Sequence, residues 1–170
     1  KWKNLVNLMI KIIILFFFLC FTVSTNLSAE TNGKLITPKK YDVGNLGKLE
    51  KGIKLTKSAD KLEKKKKIEK ARKKYEKALE YFLLANKENN SDVEIFNYLG
   101  YIYSKLGEFS NSEIYYLLVL SINPEHEEAN GHLGELYFKT NRLDLAKERL
   151  SVLKNCDCVH YQLLKKIIVQ

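Results

Sequence analysis

The 170-residue chain carries a formal net charge of +9, with 29% charged and 45% hydrophobic residues, and its length bounds it to a single domain rather than several. The positive charge does not define a nucleic-acid protein, because no reading motif accompanies the lysines. Three cysteines, two of them one residue apart, are too few and too close for a zinc site built on two separated pairs.

Lys1, Lys3 and Lys11 form a basic head, residues 12–23 an unbroken apolar-to-neutral run, and Leu27, Ser28 and Ala29 a compact set where a signal peptidase would cut. A twelve-residue apolar helix reaches about 18 Å, short of the roughly 30 Å hydrocarbon core. Residues 1–29 are therefore expected to be a cleaved signal peptide, and the protein to be exported, periplasmic or envelope-associated. The alternative is an uncleaved anchor over residues 5–23, which has to tolerate Asn7 and Lys11. Leu19 and Thr22 around Cys20 do not supply the small-residue context that lipidation needs.

Residues 30–46 hold two glycines, a proline and no hydrophobic period, which reads as a linker. Leu49, Ile53 and Leu55 then form a short apolar set, readable as the first helix of a degenerate repeat. Over residues 61–77 four consecutive lysines, Lys64 to Lys67, overlie a stripe that continues as Leu62, Ile68, Ala71, Tyr75, Ala78, Leu79 and Phe82, which predicts one long amphipathic helix. Charge divides here. Residues 34–77 hold 17 Lys and Arg against 6 Asp and Glu, a balance of +11, whereas residues 78–170 hold 9 against 13, or −4. The lysines read first as a solvated face. The functional alternative is a membrane-surface tether, each lysine near anionic headgroups contributing about 1 kcal/mol.

From residue 93 the chain writes one 34-residue sentence twice. Phe96, Leu99, Gly100 and Tyr103 fall on Asn130, Leu133, Gly134 and Tyr137, and Ser112, Tyr116 and Val119 fall on Ala146, Leu150 and Leu153. Phe96, Leu99, Tyr103 and Leu106 make one helical stripe that Gly107 ends, with Ser91 and Glu94 as an expected capping box. Phe109, Ile114, Tyr116, Leu117, Val119 and Leu120 make a second, ended by Asn123 and Pro124. Each unit is thus a helix, a tight turn and a helix, and Gly100 and Gly134 are expected to face the second helix of their own hairpins. Val159, Leu163, Leu164, Ile167 and Ile168 form a last stripe, expected to cover the helix from Leu143 to Leu153.

A 34-residue period carrying Leu-Gly-x-x-Tyr and later small, large and small residues resembles the tetratricopeptide repeat. The resemblance implies an all-α fold, a short α-solenoid of stacked antiparallel hairpins. About two and a half units are expected: a degenerate first repeat over 47–92 with a lysine-rich insertion, repeats over 93–126 and 127–158, and a capping helix over 159–170. Asn130 and Cys158 depart from the motif, standing where an aromatic residue and a proline are usual. The whole chain is similar to small exported bacterial repeat proteins that end in a cysteine-bearing link and one capping helix.

By that resemblance the inner helices line a concave face with Glu94, Asn97, Tyr101, Ser104 and Lys105, then Glu128, Gly131, Glu135, Phe138 and Lys139. Mixed polar and aromatic residues suit an extended peptide or a helix of a partner protein. Cys156, Asp157 and Cys158, followed by His160, leave three readings open: a disulfide in the turn, a free dithiol for redox exchange, or half of a metal site. No phosphate-binding glycine loop, G-x-S-x-G elbow or H-E-x-x-H stands in the chain. The expected function is a non-catalytic protein-interaction module of the cell envelope, without cofactor, nucleic acid or small-molecule substrate.

Overall fold

The computed structural model describes residues 43–169. The expected signal peptide or anchor, with Cys20, and residues 30–42 of the expected linker lie outside the described residues. Seven helices follow in order: α1 (Val43–Lys64), α2 (Ile68–Glu88), α3 (Val93–Leu106), α4 (Phe109–Ile122), α5 (Glu127–Lys139), α6 (Leu143–Val152) and α7 (Val159–Ile168), with a 3-10 turn, Leu153–Asn155, before the last. Consecutive helices pair as hairpins α1/α2, α3/α4 and α5/α6. Each hairpin packs on the next through α2 with α3 and α4 with α5. No described helix is long and apolar enough to cross a membrane.

All three hairpin turns share one hydrogen-bond pattern. After α3, Gly107 adopts φ 85°, its N–H donating to Ser104 (3.2 Å) while the Glu108 N–H reaches back to Tyr103 (2.9 Å). Asn141, 34 residues on, adopts φ 60° with the same bonds, to Phe138 and from Arg142 to Tyr137. After α1 the residue in that place is Lys66, at φ 57°, with bonds to Glu63 and from Lys67 to Leu62. This is the left-handed helix stop that glycine adopts freely, asparagine tolerably and lysine only under strain.

The long helix expected over residues 61–77 is therefore two helices that fold back at residues 65–67. Its lysine run closes a complete first hairpin, which brings the hairpins to three. Gly52 lies against the Phe82 ring as Gly100 lies against Tyr116, a Cβ on either falling 2.9 or 2.7 Å from the aromatic carbons. Thr56 and Ser112 hydroxyls donate to the carbonyls of those same glycines, at 3.0 and 2.8 Å. Phe82 to Tyr116 keeps the 34-residue period, but Gly52 to Gly100 takes 48. The extra 14 residues divide into one heptad per helix, two turns each, so both faces stay in phase. The lysine turn consequently stands about 10 Å beyond the turn of the next hairpin.

Other boundaries shift for local reasons. Helix α1 starts at Val43, inside the expected linker. Asp92, not Ser91, caps α3, its Oδ1 accepting from the N–H groups of Glu94 (2.9 Å) and Ile95 (3.4 Å). On α4 the stripe narrows: Tyr116, Val119 and Leu120 are buried, while Phe109, Ile114 and Leu117 are exposed. One core gathers Leu49, Tyr75, Phe82, Ile95 and Leu99, and another gathers Phe96, Tyr116, Leu133, Leu136 and Tyr137. Tyr103 stacks on Tyr115, ring centroids 5.6 Å apart, and Leu150 is half-buried. Asn130, the residue that departs from the motif, is fully buried. Its amide donates to the carbonyls of Pro124 (2.9 Å) and His126 (3.1 Å) and its oxygen accepts from Arg149 (3.3 Å). Each polar atom thereby keeps a partner.

Helix α7 closes the stack, and its main support is α5 rather than the expected α6. Leu164 is wholly buried whereas Val159 is 63% and Leu163 46% exposed. A Cβ on Gly134 would collide first with Leu164 and only then approach Arg149 of α6, at 3.3 Å. Gly134 therefore seats the cap, where Gly100 seats an aromatic ring of its own hairpin.

Candidate functional site

Helices α1, α3 and α5 meet along one inner strip, and polar contacts between them mark it. The Tyr101 hydroxyl of α3 donates to Asp60 Oδ1 of α1 at 2.9 Å, and Lys105 Nζ lies 2.6 Å from Glu63 Oε2. From α2, the Tyr75 hydroxyl stands 2.7 Å from Asp60 and 3.0 Å from Glu63. Burial would raise the Glu63 carboxyl, but the Lys105 hydrogen bond and charge, with Tyr75 behind them, hold it below the ordinary carboxylate range. Burial and the adjacent Asp60 push both tyrosines up, so they remain donors. One step along, Asn97 of α3 donates to Glu128 of α5 at 2.6 Å.

The expected concave residues thus divide. Asn97 is buried, and Gly131 is roofed by His160, to whose Cβ an added methyl would stand 2.7 Å. Neither faces outward as expected, because the neighbouring hairpin and the cap cover them. Tyr101, Lys105 and Glu128 link one hairpin to the next. Glu94, Phe138 and Lys139 are exposed, with Phe138 at 40%, and Ser104 and Glu135 are half-buried. Asp60, Glu63 and Tyr75 belong to the site although no motif marks them, since the fold-back at Lys66 is what carries them to the groove.

At the cap end His132 is enclosed by Tyr101 (ring centroids 5.2 Å), Tyr116 (6.0 Å) and His160 (5.2 Å, edge-on). Burial, with His160, Lys105 and Lys139 nearby, pushes its imidazole down to about 3, so it stays neutral and packs as an aromatic ring. His126 caps α5 by accepting from the Ala129 N–H at 3.3 Å.

Cys156 and Cys158 are joined by a disulfide in the turn before α7. Glu127 is the one other metal-binding group near them among the described residues, its carboxylate within 4.8 Å of both sulfurs. His160 turns away onto Gly131, so it does not complete a site with the sulfurs.

Antiparallel hairpins of helices stacked at a fixed period, with a groove along the first helix of each, define an α-solenoid repeat protein. A family model of the tetratricopeptide repeat matches residues 93–126, so the α3/α4 hairpin carries a repeat of that family. A model of the MIT (microtubule interacting and transport) domain matches residues 49–98, which span most of α1, α2 and the start of α3. No curated protein matches the chain. Among solved structures, a tetratricopeptide repeat protein from Parabacteroides merdae is 18% identical at TM-score 0.51, covering 70% of this chain. This chain spans 59% of that protein's length. The first repeat domain of Spaghetti (RPAP3) bound to an HSP90 peptide is 20% identical at TM-score 0.52, over 69% of this chain and 90% of that one. The Yersinia enterocolitica type III secretion chaperone SycD, in complex with a peptide of the translocator YopD, is 15% identical at TM-score 0.51, over 68% and 88%. These likenesses carry the fold.

Proposed function

We propose that the chain is a non-catalytic interaction module that receives an extended segment of a partner protein in the inner groove of α1, α3 and α5. The observation that carries this reading is the strip itself. Phe138 is an exposed aromatic on an inner helix, beside Lys139 and Glu135 and in line with the Tyr101 and Lys105 contacts. A large apolar side chain left outside both cores, rimmed by fixed charges, suits a peptide that offers an apolar anchor and polar backbone. Two of the similar structures hold peptides, in agreement with this use of the fold. The unshared part of the proposal is the setting: residues 1–29 as an export signal, or residues 5–23 as an anchor, would place the module in a bacterial envelope or periplasm.

A photo-reactive amino acid at position 138 of the full chain, compared with one at exposed Leu117 on α4, tests the groove directly. The same partner segment, cross-linked at 138 and not at 117, is expected. Equal cross-linking at both positions, or at 117 alone, would contradict it. Fractionation of the expressed chain tests the setting, which fails if the protein remains with cytoplasmic proteins.

A further inference from the structure

The fold-back at Lys66 also builds a groove on a different face of the first hairpin. It has a volume of about 360 Å³ and draws its described lining from α1 and α2 alone. From α1 come Lys51, Lys54 and Ser58; from α2 come Lys74, Lys77 and Tyr81, with Leu55 between them. The spacing explains the convergence. Residues three, four and seven apart share a helix face, so each helix turns two lysines and one hydroxyl toward its antiparallel partner.

Four ammonium groups around one groove repel each other, and no carboxylate stands among the described lining residues. Elsewhere the same molecule pairs its cations across helices: Lys48 with Glu88, Lys105 with Glu63, and Arg142 with Glu113. None of Lys51, Lys54, Lys74 and Lys77 has an ion pair among the described residues. Lys51 instead rests over the Tyr81 ring, 5.8 Å from its centroid. A neighbouring groove shares Lys54 and Ser58 and adds Lys57 and Lys61, but it contains Glu50, whereas no carboxylate is among the described lining of the α1/α2 cleft.

We infer that this cleft binds a compact polyanion bearing two or more phosphate groups. Lysine ammonium groups serve phosphate as point charges, and several approaching from two helices favour a short, highly charged ligand over a single carboxylate. The Ser58 and Tyr81 hydroxyls supply neutral donors at the same rim. The phosphate chemistry is common to a soluble polyphosphate and a phospholipid headgroup. The site stands apart from the inner groove and does not rest on the peptide-binding proposal.

The test titrates the full chain with tripolyphosphate by calorimetry and, in parallel, sediments it with cardiolipin vesicles, whose headgroup carries two phosphates. The groove variant is Lys54→Gln with Lys77→Gln. The control is Lys65→Gln with Lys67→Gln, which removes the same charge at the turn. Far-ultraviolet dichroism checks that both keep their helices. The groove variant is expected to bind about thirtyfold more weakly, at about fivefold per lysine, with the control near the parent. Groove-dependent binding of tripolyphosphate identifies a soluble ligand, and of vesicles alone a lipid headgroup; either supports the site. Equal weakening in both variants would reduce it to diffuse charge, and absence of binding in both arms would overturn it.

Discussion

The first and third hairpins share a turn geometry and a packing glycine, yet they build opposite ends of the solenoid. In the first, Gly52 seats Phe82 of the same hairpin, and the two extra turns on each helix carry Asp60 and Glu63 inward while four lysines line an outer cleft. In the third, Gly134 and Gly131 seat Leu164 and His160 of the cap, and the site closes around a neutral imidazole. A repeat frame thus leaves its ends free. One period keeps the hairpin, and the residue that meets each small position comes from the same hairpin in the first and from the cap in the third.

The contrast between glycines gives the largest expected effect. A side chain at Gly100 meets the fully buried Tyr116 ring, whereas one at Gly134 meets the tip of Leu164. Gly100→Leu should destabilise the whole fold by about 3 kcal/mol, the upper end for overpacking. Gly134→Leu should chiefly expel the cap, read by hydrogen exchange as lost protection in α7 while α1 to α4 keep theirs. Equal exchange patterns in the two variants would erase the distinction.

Acid should act on the capped end. The folded His132 pKa of about 3 lies below its ordinary 6.5, so below that value the unfolded chain takes up a proton the folded chain refuses. Stability is full above about pH 6.5 and falls by up to about 1.4 kcal/mol per pH unit on the way down toward the folded value. Glu63 and Glu113, both held below the ordinary 4.5, add their own losses only at lower pH. Denaturant midpoints between about pH 6 and 5 should therefore slope in the parent and flatten in His132→Gln; identical slopes would remove the histidine from the account.

The disulfide closes so short a loop that chain entropy assigns it no more than about 2 kcal/mol. A Cys156→Ser, Cys158→Ser double variant should remain folded within that loss and exchange faster at the start of α7. Collapse of the variant would make the bond essential. The smallest effect concerns the lysine turn. Lys66→Gly relieves a left-handed residue and should stabilise by about 1 kcal/mol, while the same change at Gly107's neighbour Glu108 should not.

The two regions also differ in how openly the sequence declares them. Gly100, Tyr103, Gly107 and Ser112, answered 34 residues later, announce α3 to α6, because glycines and small residues are visible punctuation. Lys66 takes the same turn conformation with no such mark, so the apolar stripe reads straight through residues 61–77 as one helix and the turn of the first hairpin is missed. Asp60 and Glu63 stay hidden for that reason, being placed by a fold-back and not by a motif. Gly131 looks like groove surface until His160 covers it, a contact across the cap that helical periodicity cannot reveal. Asp92 and Ser91 are both good caps, and only backbone geometry chooses between them.

The distance across the lysine turn tests the account most directly, since both grooves depend on it. Spin labels at Lys54 and Lys77 of the full chain would stand about 35 Å apart on one continuous helix. Side by side in a hairpin, with axes about 10 Å apart, they should lie within about 20 Å of each other, label arms included. A short distance is the predicted result. A single population near the longer distance would dismantle the first hairpin, and with it the inner acids and the outer cleft.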